Sequence, residues 1–170
     1  FNLEEYKIEH IEAIDDWEKD KLHTQYFEEN AKKIVNKVES IDLPFAYSLN
    51  PYQGCEHGCV YCYARNSHEY YGFSAGIDFE SKIIVKKRAS DLLRDLFSSK
   101  KWIPTPISLS GNTDCYQPIE RKLEITRKIL KVCLEYKNPV SIITKNSLIL
   151  RDIDILQELS KYNLVSVFTS

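Results

Sequence analysis

The chain has 170 residues, 43% hydrophobic and 28% charged, with a formal net charge of −2; this suffices for one sizeable core, and the near-neutral balance supplies no global field for nucleic acid or an anionic membrane. Its apolar runs fall well short of the roughly 18 residues a membrane span requires, so a soluble, cytoplasmic protein is expected. Its five cysteines, three of them within eight positions, are unlike the even, dispersed set of a secreted disulfide scaffold and predict a metal or redox site.

Residues 1–40 carry eleven acidic against six basic side chains, while the rest of the chain holds seventeen basic against fourteen acidic. Apolar groups at Ile8, Ile11, Ile14, Leu22, Tyr26, Ile34 and Val38 recur at loosely helical spacing, with neither Gly nor Pro before Pro44. The pattern predicts one or two amphipathic helices, a helical extension over 1–40 packed on a core domain over 41–170. From Pro44 the texture becomes α/β, with short apolar runs alternating with helix-length periodic segments. Residues 46–49 read as a strand, 82–87 as an extended piece, and 90–98 as a helix. Residues 106–110 (PISLS) read as a buried strand, followed by a helix starting near Pro118, with apolar groups through Ile119, Leu123, Leu130 and Leu134. Residues 140–144 (VSIIT), a helix marked by Ile153, Leu156 and Leu159, and the strand 164–168 (LVSVF) complete the pattern. The chain contains no methionine and stops just after that strand, so it reads as part of a longer protein, truncated after a fourth strand. Strand-helix-strand links of this length imply a parallel sheet with right-handed crossovers, doubly wound or part of a barrel, with chemistry at the C-terminal strand ends.

The first of those ends runs into NPYQGCEHGCVYC, residues 50–62. Thiolates bind soft metals, and spacings of three and two residues let Cys55, Cys59 and Cys62 turn inward around one centre, with Gly54 and Gly58 relaxing the backbone. Two readings compete at this point. A structural zinc wants four ligands, so His57, His68 or a distant cysteine would have to join; an iron-sulfur cubane on three thiolates leaves one iron open to a non-protein ligand.

The spacing C-x3-C-x2-C, with aromatic Tyr61 before the last cysteine, resembles the cluster motif of the radical S-adenosylmethionine (radical SAM) superfamily. AYSLNPYQGCEHGCVYCYAR resembles the subgroup similar to spore photoproduct lyase, as do SLSGNTDCYQPIERKLEITRKIL and NPVSIITKNSLILRDIDIL. The likeness covers residues 44–170. It implies the N-terminal part of a partial (β/α)6 TIM-like barrel, a 4Fe-4S cluster on Cys55, Cys59 and Cys62, and SAM on the open iron. The enzyme would cleave SAM reductively to a 5′-deoxyadenosyl radical that abstracts hydrogen from a substrate, fed by a one-electron reductant such as flavodoxin or ferredoxin. Tyr61 would contact the adenine through its backbone. Gly111, Asn112 and Thr113 replace the family's usual Gly-Gly-Glu-like turn as SAM contacts, with Asp114 either a further contact or a helix cap. Lys145 would touch SAM or an anionic substrate, and Ser170 falls where the fourth strand meets the SAM ribose.

Cys115, beside the 110–114 turn, is a candidate hydrogen-atom donor or redox thiol by position; the cysteine that spore photoproduct lyase uses in this way lies elsewhere in its chain. Cys133, on the apolar face of its helix, reads as core. Residues 82–101 hold seven basic and two acidic side chains, a solvated face or a track for a nucleic-acid backbone. The resemblance names spore photoproduct lyase, which suggests DNA as a substrate, but shared fold does not fix function. The alternative is a zinc-stabilised nucleic-acid-binding module without catalysis.

Overall fold

A computed structural model describes residues 23–39 and 46–169; residues 1–22, 40–45 and 170 lie outside the description, and with them most of the expected N-terminal helices and the Ser170 site. The described chain forms two sheets. The larger contains β2 (Val35–Lys37), β3 (Tyr47–Leu49), β6 (Ile107–Leu109), β7 (Val140–Thr144) and β8 (Val165–Thr169), in that order. β3, β6, β7 and β8 are parallel, and β2 closes one edge antiparallel to β3. The smaller contains β1 (Gln25–Glu28), β5 (Lys82–Val85) and β4 (Tyr52–Gln53), with β5 in the middle.

Four parallel strands follow one another in both sequence and space, with no reversal of direction. Their register brings Leu49, Leu109, Ile142 and Val167 into one row and Ser48, Ser108, Ser141 and Ser166 into the next. Because strand side chains alternate, the two rows face opposite sides. A short helix, α1 (Asp78–Ser81), leads into β5; the connecting helices α2 (Ala89–Ser98), α4 (Ile125–Glu135) and α5 (Ile153–Lys161) all pack on the Leu49 side. α2 lies against α4 and α4 against α5, and their buried Leu93, Phe97, Ile129, Leu130, Cys133, Leu156 and Leu159 share one core with the strands. Truncating a residue such as Leu93 or Leu130 there would cost roughly 2–5 kcal/mol.

Two expectations need correction. Tyr26, Ile34 and Val38 were expected on helices, yet residues 25–28 and 35–37 are strands. β1 is held by pairing parallel to β5, over fifty residues away, although all four of its side chains are exposed. β2 belongs to the main sheet and Ile34 to the main core, so residues 34–37 are part of the core domain rather than an appended extension. Sparse apolar positions fit either period, and long-range pairing decides. The helix predicted from Pro118 is also broken into α3 (Glu120–Leu123) and α4, because Glu124 takes a left-handed conformation at φ 51°. The fully buried Glu120 carboxylate then caps α4 by accepting the backbone N–H of Thr126 at 3.1 Å.

Among the described residues no helix is long and apolar enough to cross a membrane.

Candidate metal and cofactor site

The loop leaving β4 begins at Gly54, whose φ of 79° and close approach to the Lys82 and Phe79 carbonyls, where a Cβ would lie at 2.9–3.0 Å, exclude any other side chain without movement. Two successive turns follow, Gly58 N–H donating to the Cys55 carbonyl and Cys62 N–H to the Cys59 carbonyl, each at 3.2 Å. These turns carry Cys55, Cys59 and Cys62 onto one cleft of about 290 Å³. All three are free thiols. Cys55 is buried, and desolvation pushes its thiol up to about 11, outweighing the lowering effect of the nearby Asp114 and His57 backbone.

The rest of the cleft is made by the C-terminal strand ends, as the fold class leads one to expect. The expected contacts Gly111, Asn112 and Thr113, after β6, and Lys145, after β7, all line it, as does Tyr61. Asn112 N–H donates to the Asn50 side chain at 2.9 Å, and the Thr113 hydroxyl donates to the Tyr52 carbonyl at 2.7 Å, so that hydroxyl is engaged in holding the turn. The left-handed residue of the turn is Ser110, at φ 76°, rather than Gly111. Lys145 Nζ lies 3.2 Å from the Tyr61 hydroxyl and also against Cys59, partners that raise its pKa.

Asp114 ties the strand ends to the cysteine loop. Its carboxylate accepts from the Thr144 hydroxyl at 2.7 Å, from the Tyr116 N–H at 2.8 Å and from the Lys145 N–H at 2.9 Å, while His57 Nε2 stands 3.3 Å away. Burial disfavours the charge, but the His57, Lys145, Thr144 and Tyr116 contacts outweigh it and hold the carboxyl below its usual range.

A second tie carried no sequence signal. Glu56 N–H donates to Gln117 Oε1 at 3.1 Å and Gln117 Nε2 to the Gly54 carbonyl at 3.2 Å, while the Glu56 carboxylate accepts from the Ile119 N–H at 3.1 Å and the Tyr26 hydroxyl at 3.0 Å. These partners stand 30 to 63 positions apart in sequence.

Cys115 lies next to the site in sequence but away from it in space. It is fully buried, does not line the cleft, and burial pushes its thiol well above the ordinary range. Cys133 is core, as expected, its thiol pushed up to about 12 by burial. His68 is sealed between Phe73 and Phe79, at 5.2 and 5.6 Å between ring centroids, with no hydrogen-bond partner for either nitrogen. Of the fourth zinc ligands the sequence offered, His57 lines the same cleft, its Nε2 3.3 Å from Asp114, while His68, Cys115 and Cys133 are buried and do not line it. Among the described residues no three His, Cys, Asp or Glu side chains converge as a single ion requires. In the basic stretch, Lys82, Lys86, Lys87 and Arg94 pair with Asp78, Glu29, Glu28 and Glu135.

The chain is similar to an uncharacterized protein of Mycobacterium tuberculosis, 36% identical over 140 residues that make up 82% of this chain and 41% of the relative. An uncharacterized protein of Methanocaldococcus jannaschii is 36% identical over 131 residues, 76% of this chain and 46% of the relative. An uncharacterized protein of Acidianus two-tailed virus is 28% identical over 121 residues, 69% and 40% respectively. The chain thus spans less than half the length of the curated relatives it matches. No family model and no solved structure matches it.

Proposed function

We propose that the chain is the N-terminal part of a radical SAM enzyme related to the subgroup similar to spore photoproduct lyase, its sheet the first portion of a partial (β/α)6 barrel wall. The observation that carries this reading is the gathering of Cys55, Cys59 and Cys62 with Gly111, Asn112 and Lys145 on one cleft. Strand order without reversal and helices on one face fit a barrel wall better than a doubly wound sheet, which reverses direction and covers both faces.

The three thiols fit a cluster that needs three protein ligands, and when bound that 4Fe-4S group would supply the electron that cleaves SAM to methionine and a 5′-deoxyadenosyl radical. The chain's own part is orientation and charge. Asp114 fixes the loop against the strand ends, the Gly111–Asn112 turn lines the cleft where the amino acid portion of SAM would lie, and Lys145 offers an ammonium to its carboxylate or to an anionic substrate. Tyr61, which lines the cleft beside Lys145, would contact the adenine through its backbone. A flavodoxin or ferredoxin is the natural class of electron donor.

The zinc module has less support, since four of the seven basic side chains of residues 82–101 are already paired and the one histidine in the cleft, His57, stands against Asp114. Anaerobic reconstitution with iron and sulfide separates the two. The expected product is brown protein that forms 5′-deoxyadenosine from SAM under reduction; colourless protein holding one zinc per chain would overturn the radical SAM reading. DNA repair stands or falls separately, on whether damaged DNA changes the rate or deuterium incorporation into 5′-deoxyadenosine.

A further inference from the structure

The loop that carries the three thiols has a back as well as a cleft side, and the back rests on one guanidinium. Arg65 is not part of the cleft lining. Its Nε and Nη2 donate to the Cys59 carbonyl at 3.1 and 3.0 Å, and its Nη1 donates to the Gly76 carbonyl at 3.1 Å and the Ala75 carbonyl at 3.4 Å. Nη2 also donates to the Glu80 carboxylate. These five bonds match the five N–H donors of the fork. The Cys59 carbonyl therefore receives both Arg65 and the N–H of Cys62. The guanidinium also lies over the Phe79 ring, 5.4 Å from its centroid, and the Phe79 carbonyl accepts the Cys55 N–H at 2.8 Å. Glu80 fills the space beneath Gly58, where a Cβ would meet its Oε2 at 2.7 Å. Segment 75–80 thus holds the first cysteine through Phe79, the intervening turn through Glu80 and the second cysteine through Arg65.

We infer that Arg65, with Glu80 as its counter-charge, is the positioning residue of the cysteine loop, fixing the spacing of Cys55, Cys59 and Cys62 and placing a positive charge behind the metal centre they would hold. The inference rests on the proposed cluster for its purpose, and on the fork of hydrogen bonds for its mechanism. Lysine cannot reproduce it, because three donors radiating from one nitrogen do not match carbonyls at separate positions. The charge also has a direction of effect: a cation near a cluster favours the reduced, more negative form, so its removal lowers the midpoint potential, and removal of the Glu80 charge raises it.

The test compares the parent with Arg65→Gln, Arg65→Lys and Glu80→Gln. In the metal-free protein, alkylation of Cys59 and Cys62 by iodoacetamide, followed residue by residue by mass spectrometry, should quicken about tenfold in both Arg65 variants, the scale set by losing one charge-assisted hydrogen bond. Cys115 and Cys133 should stay unreactive, which certifies that the core is folded; if Arg65→Gln unfolds, Arg65→Lys and Glu80→Gln carry the comparison. After reconstitution, the reduced-cluster spectrum should change in the Arg65 variants, and the midpoint potential should fall in Arg65→Gln and rise in Glu80→Gln. Parental alkylation rates with parental spectra and potentials would overturn the inference. A parent that binds no iron and sulfide would remove the proposed function, while the alkylation rates would still decide the clamp.

Discussion

The two ends of the parallel sheet use polar groups in opposite ways. At the N-terminal end, fully buried Asn138 accepts from Trp102 Nε1 at 2.9 Å and the Thr105 N–H at 3.3 Å, and donates to the Thr105 and Pro139 carbonyls at 3.0 Å. Trp102 stacks on Phe97 and lies against Tyr47, so this end is closed on itself. At the C-terminal end Asp114 and Gln117 are used in the same structural manner, but three thiols, Asn112 and Lys145 are left facing a cleft. Stability is concentrated at one end, and unspent chemistry at the other.

Substitutions at the two ends should therefore dissociate loading from stability. Cys59→Ala should have the largest effect, abolishing uptake of iron and sulfide while the metal-free protein melts much as the parent does; full iron content in that variant would sink the ligand assignment. Asn138→Ala should do the reverse, orphaning the Trp102 and Thr105 groups at a cost of about 3 kcal/mol in urea unfolding, with cluster content unchanged. A third effect depends on acid. His68 is fully enclosed, and burial holds its imidazole below the ordinary 6.5. The unfolded chain takes up a proton near pH 6.5 and the folded chain does not, so stability should fall as pH drops below about 6.5, by at most about 1.4 kcal/mol per pH unit, until the folded imidazole also titrates. His68→Leu should flatten that slope in unfolding curves measured from pH 7 to 5. Smallest in stability is Lys145→Ala: an ammonium at the open end should leave the melting curve in place and weaken SAM binding several-fold, as read by calorimetry.

How much of this the sequence could reveal depends on the reach of each interaction. β7 was expected at 140–144 and spans Val140–Thr144, because a fully local apolar run specifies it. The cysteine loop was legible for the same reason, with three cysteines inside eight positions. β1 was not, since it buries none of its side chains and exists through backbone pairing with β5. Nor were the supports of the loop: Glu56 and Gln117 meet across 61 positions, and Arg65 looks like any charged residue of a polar turn. The break between α3 and α4 was hidden because a left-handed Glu124 has no compositional mark of its own, glycine being the usual one. Residues that face the cleft declared themselves by type, while those that hold the cleft together did so only once folded.

The outer margin of the main sheet has an architectural consequence. Residues 164–169, LVSVFT, contain neither charge nor proline, and β8 exposes Val167 over a groove shared with Leu150 and Ile153 and Phe168 on its opposite face. Among the described residues no strand pairs with its far side. A short, uncharged, strongly β-favouring ribbon whose far side no described strand pairs is a template for strand addition. On the proposed barrel wall, that margin is where a further parallel strand would add, continuing the row of strand ends that β7 brings to the cleft.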